Sequence, residues 1–265
     1  MLLSYKKKYG KTYGNIVLAC DANTYWRRTK YWWYKGHRKH DRIKSVFDWD
    51  VISNTISLIK EEMRETFQYK VIERPEAEAD DIIACLCKWS QTNETVTIGL
   101  FSDEPQPILI CSSDQDFGQL QKYKNVKQYA PAQKKMFVVE GSISDFLADH
   151  IARGDSTDNV PSVLTPDQWA IDRASGTSAK RQSPLKAGRV AEFVKNGRDA
   201  CSSDQERLNY DRNEMLVSFD KIPSSLYDEI INEYMTQKPK GSKMKIYAYL
   251  LKHRMKTLID DAGNF

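Results

Sequence analysis

No stretch of the 265-residue sequence is long and apolar enough to span a membrane, and the longest apolar runs, such as Ile16 to Cys20 and Ile108 to Cys111, are strand-sized. The lysine-rich start lacks both the apolar run and the small-residue cleavage site of a signal peptide, so a cytoplasmic protein is expected rather than an exported one. Cysteines are few and odd in number (Cys20, Cys85, Cys87, Cys111, Cys201), with no CxxC or Cys/His spacing that would hold zinc. They read as reduced thiols serving as small core hydrophobes. There is no internal repeat. A composition of 40% hydrophobic and 29% charged residues excludes disordered and fibrous classes.

Charge is present but unevenly placed. Residues 1–44 carry 12 lysines and arginines against Asp21 and Asp41, a balance of +10, and the remainder carries 28 against 34 acids, a balance of −6. One end suits contact with a polyanion and the other concentrates carboxylates, the division a phosphodiester enzyme needs. Taken alone, the basic run is equally a solvated face.

Asn15 to Cys20 is a strand-length apolar run ending at Asp21. Residues 50–67 place Val51, Ile52, Ile56, Ile59 and Met63 at the spacing of one helix face, which predicts a helix. A short strand at Tyr69 to Ile72 precedes a helix at Glu76 to Trp89, opened by Pro75. The next buried strand is Ile108 to Cys111, followed by a short helical piece, strands at Asn125 to Tyr129 and Met136 to Val139, and a helix from Ser142 to about Ile151. This order predicts an α/β fold with a mainly parallel sheet flanked by helices, over residues 1–140. Residues 141–265 read as a helical region, with the polar stretch Thr165 to Ser183 as an exposed loop and three or four helices beyond residue 185.

In an open sheet, ligands bind at the carboxyl ends of strands, so acids that follow apolar runs matter most. Asp21, Asp114 and Asp116 do so; Glu78, Asp80 and Asp81 open a helix; Asp155 and Asp158 lie in Gly154-Asp-Ser-Thr-Asp-Asn159. Each has an ordinary role available, as a helix cap or a turn residue. Converging at one sheet edge, however, these eight acids would repel one another without cations. Oxygen ligands without Cys or His favour Mg²⁺ or Mn²⁺, and two ions about 4 Å apart could activate water and stabilise a leaving oxygen.

The pieces Ile16-Val-Leu-Ala-Cys-Asp21, Tyr25-Trp-Arg-Arg28, Tyr34-Lys-Gly-His-Arg38, Glu78-Ala-Asp-Asp81, Ser112-Ser-Asp-Gln-Asp-Phe117 and Gly154 to Asn159 occur in this order. In that order the chain resembles the flap endonuclease and 5′→3′ exonuclease superfamily, and within it the ribonuclease H branch of T-even phages. The resemblance implies a 5′ nuclease core with a helix–three-turn–helix element near residues 142–165. It assigns Asp21, Glu78, Asp80 and Asp114 to a first metal site and Asp116, Asp155 and Asp158 to a second, partly through water. Asp81 would bind directly or through water, and Glu76 offers a competing register with Glu78. It also implies a monovalent K⁺ near Gly154 to Asn159. The glycine-rich hairpin common in relatives is replaced here by Pro161-Ser-Val-Leu-Thr-Pro-Asp167.

Residues 25–44 interleave cations with aromatic rings, a pattern suited to single-stranded nucleic acid and equally to an amphipathic helix packing its rings on a core. By resemblance they lie in an arch region, 25–48, over the active site. Arg27 and Lys35 would hold the scissile phosphate, with Lys35 stabilising the transition state. Tyr34 would stack on a displaced base, and Arg28, Arg38 and Lys39 would track phosphates. The implied substrates are 5′ flaps, nicked duplexes and RNA primers on DNA in replication and repair, in a phage-infected host cytoplasm, with a single-stranded DNA-binding protein as a possible partner. A PIN-like ribonuclease and a junction-binding protein without hydrolysis are the alternatives. The family begins with a strand ending in a metal-binding aspartate, whereas no acid precedes Asp21 here. The expectation is therefore weak activity of this chain alone, restored by adding a hydrophobic strand ending in Asp.

Overall fold

A computed structural model describes residues 1–93, 95–98, 102–177 and 180–265. In chain order the elements are α1 (Leu2–Tyr13), β1 (Val17–Ala19), α2 (Trp26–Lys30), α3 (Arg38–Lys44), α4 (Trp49–Thr66), β2 (Lys70–Ile72), α5 (Ala79–Asn93), β3 (Thr95–Ile98), β4 (Ser102–Pro105) and β5 (Ile108–Cys111). A 3₁₀ helix (Gln115–Lys122) leads to β6 (Val126–Ala130), β7 (Lys135–Phe137), α6 (Ile143–Arg153), α7 (Gln168–Ala174), α8 (Ala187–Asn196), α9 (Asp204–Val217), α10 (Ser224–Thr236) and α11 (Lys243–Lys252). The chain divides into two compact units, one of Met1–Ala22, Phe47–Ile108 and Ser225–Phe265, the other of Asn23–Val46 and Leu109–Ser224.

The fold is α/β and rich in helix. Its sheets are small pieces: β1 pairs in parallel with β2, β3 pairs antiparallel with β4, and β5-β6-β7 form a three-stranded sheet in which β6 and β7 are antiparallel. The β1–β2 register, Val17 opposite Lys70 and Ala19 opposite Ile72, has the parallel crossover geometry expected of the core.

In the first unit the core gathers Phe67, Tyr69, Ile246, Leu250 and Ala262, with Leu2, Ile16, Leu18 and Met63 against them. Phe67 stacks on Tyr69 and meets Tyr249 edge-on, at centroid distances of 5.9 and 5.4 Å. Helix α1 arises from a segment that reads as merely basic, because Leu2 and Leu3 supply enough apolar surface to seat it. Helix α4 forms where the spacing predicts a helix, but most of its apolar face is not covered. Asp48 caps its start by accepting from the Asp50 and Val51 N–H groups, yet Val51, Ile56 and Ile59 remain 59%, 52% and 50% exposed. Its anchors lie at the C-terminal end, where Met63 joins the core and Glu62 accepts from Tyr249 at 2.8 Å.

The second unit includes apolar clusters that draw on residues at either side of the loop after α6. One holds Ile151, Ala152, Val163, Phe193, Cys201, Tyr210 and Val217; another holds Tyr31, Tyr34, Val160, Ala170 and Leu216. The polar stretch expected as a loop contains α7, whose Ala170 is fully buried; residues 178 and 179 of that stretch lie outside the described residues. Beyond residue 185, α8 to α11 match the expected helical region.

Candidate metal centre and nucleic-acid interface

On the first unit, β1 delivers the chain to Asp21, whose Oδ1 accepts the Ala79 N–H at 2.8 Å. That bond satisfies a donor at the start of α5. Two backbone bonds hold the segment beside the turn, Cys20 N–H to Ile72 O at 2.9 Å and Ala22 N–H to Ala77 O at 3.0 Å. Asp81 is buried and accepts the Glu78 N–H at 3.0 Å, while Glu78 itself is 1% exposed and Asp80 half-buried. All four acids thus gather around one helix N-terminus, whose dipole favours their charge.

On the second unit, β5 ends just before Asp114, which caps the following 3₁₀ helix by accepting the Asp116 N–H at 3.0 Å. Gln128 on β6 fixes this corner by donating to the Ser112 and Asp114 carbonyls. Asp116 then faces α6 and the loop after it. Its Oδ1 is 3.3 Å from His150 Nδ1, and ligand atoms of Asp116, His150 and Asp155 all lie within 4.8 Å of one another. Burial pushes the Asp116 carboxyl up to about 8, helped by the negative charges of Asp114, Asp155 and Asp158 and opposed by Arg27. Burial likewise lowers the pKa of His150, outweighing the surrounding aspartates. His150 is the residue that sequence reasoning missed. The helix carrying it was legible, but nothing local marks its approach to Asp116.

The loop after α6 is tightly specified. Gly154 has φ +66°, and a Cβ there would come within 2.5 Å of the Val160 and Pro161 carbonyl oxygens, so only glycine fits. Asp155 Oδ1 accepts from the Thr157 N–H and hydroxyl at 2.7 and 2.6 Å, orienting the carboxylate. Asn159, also at positive φ, donates from its side chain to the Trp33 and Ala170 carbonyls at 2.9 and 3.0 Å.

Asp158 is the anchor of the basic segment. It accepts from the Tyr34 hydroxyl at 2.7 Å and from Arg38 at 2.9 Å, and Lys35 Nζ lies 3.5 Å away. Lys35 adopts φ 53° and donates its backbone N–H to the Asp158 carbonyl at 2.8 Å. Its ammonium also lies 5.3 Å from the Tyr25 ring centroid and 5.2 Å from that of Tyr34. The Tyr34 ring is 3% exposed, so it is packed in the core rather than presented as an open stacking face. Arg27 is also buried at 3% and donates Nε–H to the Leu216 carbonyl at 2.8 Å. Arg28 and Lys39 are exposed, Arg28 lying over the Trp32 ring at 5.1 Å. Tyr34, Lys35 and Arg38 are thus brought together on Asp158, whereas Arg28 and Lys39 stand outside that group.

A phosphodiester-directed site on an α/β scaffold is the class this arrangement fits, and sequence comparison agrees. Residues 1–146 match the profile of the 5′-3′ exonuclease N-terminal resolvase-like domain, and residues 141–265 match that of the C-terminal part of T4 RNase H. The chain belongs to the 5′-3′ exonuclease family, whose members are nucleases that hydrolyse phosphodiester bonds. It is 33% identical over 273 residues to ribonuclease H of Enterobacteria phage T4, covering 99% of this chain and 84% of that protein. The fold is similar to that of bacteriophage T5 5′-exonuclease with bound zinc, at a TM-score of 0.59, 15% identity and 89% coverage of each chain. It is also similar to a T5 flap endonuclease in complex with DNA and metal ions, at a TM-score of 0.57, 16% identity and coverage of 88% and 90%. No helix among the described residues is long and apolar enough to cross a membrane.

Proposed function

We propose that this chain is a Mg²⁺-dependent, structure-specific 5′ nuclease acting on 5′ flaps, nicked duplex ends and RNA primers paired to DNA. The observation that carries the reading is the cluster of Asp116, His150 and Asp155, with ligand atoms within 4.8 Å and a carboxyl that burial, helped by its acidic neighbours, pushes up to about 8. Such a cluster is unfavourable as a set of free anions and favourable around a divalent cation, so the residues present fit one. A bound Mg²⁺ or Mn²⁺ would supply Lewis acidity toward the phosphodiester and lower the pKa of water beside it.

The chain's own groups then divide the work. Asp116 and Asp155, with Asp158 through water, would hold one ion; Asp114 is a further carboxylate donor on the same unit, and Asp21, Glu78, Asp80 and Asp81 are the donors of the first unit. Lys35 directs its ammonium at the charge developing on the phosphoryl oxygens, and the strained backbone at this residue is held by the Asp158 carbonyl. Arg27 offsets negative charge at Asp116 from a buried position. Tyr34 orients Asp158 through its hydroxyl rather than stacking on a base. Arg28, Arg38 and Lys39 contact phosphates, and the segment near 142–165, α6 with the loop after it, grips duplex DNA, where a K⁺ would sit at Gly154 to Asn159. The DNA and metal ions in the T5 flap endonuclease complex support this reading by analogy of fold. A panel of 5′-labelled flap, nicked, blunt-duplex and single-stranded substrates tests it. Cleavage confined to the junctions of the flap and nicked substrates is expected, and indifference to the junction would refute structure specificity.

A further inference from the structure

His150 lies on the last turn of α6, and its ring is held edge-on to Phe146 at a centroid distance of 6.4 Å and an angle of 74°. That packing aims Nδ1 at Asp116 Oδ1, 3.3 Å away. On the other side, the Asp155 carboxylate is held in orientation by its two bonds from Thr157. The three ligand atoms fall within 4.8 Å of one another. Donors bound to one ion at about 2.1 Å lie about 3 Å apart when adjacent and about 4.2 Å apart when opposite, so the triangle is close to one that a single ion can fill. Of the acids beside it, Asp149 on the same helix is bound to Arg153 at 2.9 Å, Asp158 is engaged by Tyr34 and Arg38, and Asp114 accepts the Asp116 N–H at 3.0 Å.

We infer that His150 is a nitrogen ligand of the divalent ion held by Asp116 and Asp155, and that it sets the metal preference of that position. Imidazole is a better donor for first-row transition ions than for Mg²⁺, which prefers oxygen. Replacing an oxygen by this nitrogen therefore raises the affinity for ions such as Mn²⁺ and Co²⁺ relative to Mg²⁺. The inference rests on the proposed function only in taking Asp116 and Asp155 as metal ligands.

Pulsed electron paramagnetic resonance of Mn²⁺ added to the untagged full chain, without nucleic acid, tests it. Nitrogen modulation from a coordinated imidazole is expected in the wild type and is lost in His150→Gln and in Asp116→Asn. Mn²⁺ affinity should fall about 10-fold or more in His150→Gln, the least that loss of support around a metal costs, and Mg²⁺ should displace Mn²⁺ more readily from that variant. Bound Mn²⁺ without nitrogen modulation in the wild type, or modulation that survives His150→Gln, overturns the inference. Should His150→Gln fail to fold, as judged by circular dichroism, the wild-type spectrum decides alone. Because the readout needs no cleavage, nitrogen-coordinated Mn²⁺ in a protein that leaves flaps uncut would uphold this inference and sink the nuclease reading.

Discussion

The bond from the Tyr34 hydroxyl to Asp158 can be tested as an energetic coupling. It is 2.7 Å long, its donor residue is 3% exposed and its acceptor side chain 18% exposed, so water competes weakly for either end. A hydrogen bond to a charged partner in such a place contributes about 1.5–3 kcal/mol. The Arg38 contact to the same carboxylate involves an arginine side chain that is 41% exposed and adds only about 0.5 kcal/mol. Tyr34→Phe should therefore destabilise the protein by about 2 kcal/mol, and Asp158→Asn by a similar amount, each lowering Tm by roughly 4–8 °C for a chain of this size. Asp158→Asn also removes one of the negative charges that raise the Asp116 pKa, so that pKa should fall in the variant. The assay is urea unfolding of wild type, both single variants and the double variant. Since both substitutions sever one contact, the double variant should cost about 1–2 kcal/mol less than the sum of the singles. Additivity within about 0.5 kcal/mol would refute the coupling.

Three further outcomes follow from the same geometry. Lys35→Ala should reduce the single-turnover cleavage rate by about 10²-fold, roughly 3 kcal/mol, with a smaller effect on flap affinity; a lost affinity with an unchanged rate at saturation would reduce Lys35 to a binding residue. Raising a carboxyl pKa from 3.8 to about 8 confers stability that is present at low pH and lost as pH rises through the folded value. In EDTA the protein should accordingly melt higher near pH 5 than near pH 8; Mg²⁺ should narrow that gap, and an Asp116→Asn variant with the same slope in EDTA would count against the assignment. Gly154→Ala should cost about 2 kcal/mol or more by thermal melting, because the added Cβ meets backbone oxygens at 2.5 Å on a positive φ; a neutral result would mean that the loop can shift without loss.

Much of the scaffold was legible because it is encoded locally. The apolar run before Asp21 became β1, Pro75 and the acids after it marked the start of α5, and the residues before Asp114 became β5. Features that depend on what covers a surface were not. Periodicity correctly grouped Val51, Ile56 and Ile59, but a helical period identifies residues that share a face and cannot say whether that face is buried. The basic, aromatic segment suited contact with nucleic acid and packing on a core equally, and the sequence could not choose between them: Arg27 and Tyr34 are enclosed because the Leu216 carbonyl and the Asp158 carboxylate, both distant in sequence, satisfy their polar ends. His150 escaped for the same reason, its partner Asp116 being brought to it by tertiary packing alone. In the polar stretch after Thr165, Trp169, Ala170 and Ile171 gave too short an apolar signal to reveal α7 among prolines and serines.

The central claim is divalent-metal-dependent hydrolysis at a 5′ junction, and single-turnover cleavage of a 5′-labelled flap duplex by excess protein addresses it directly. The account predicts a labelled product released at the junction in Mg²⁺, none in EDTA, and none from Asp114→Asn even though that variant still binds the flap, because removing a metal-binding charge harms chemistry more than phosphate contact. Cleavage that persists in EDTA, or Asp114→Asn turning over like the wild type in saturating Mg²⁺, would contradict it.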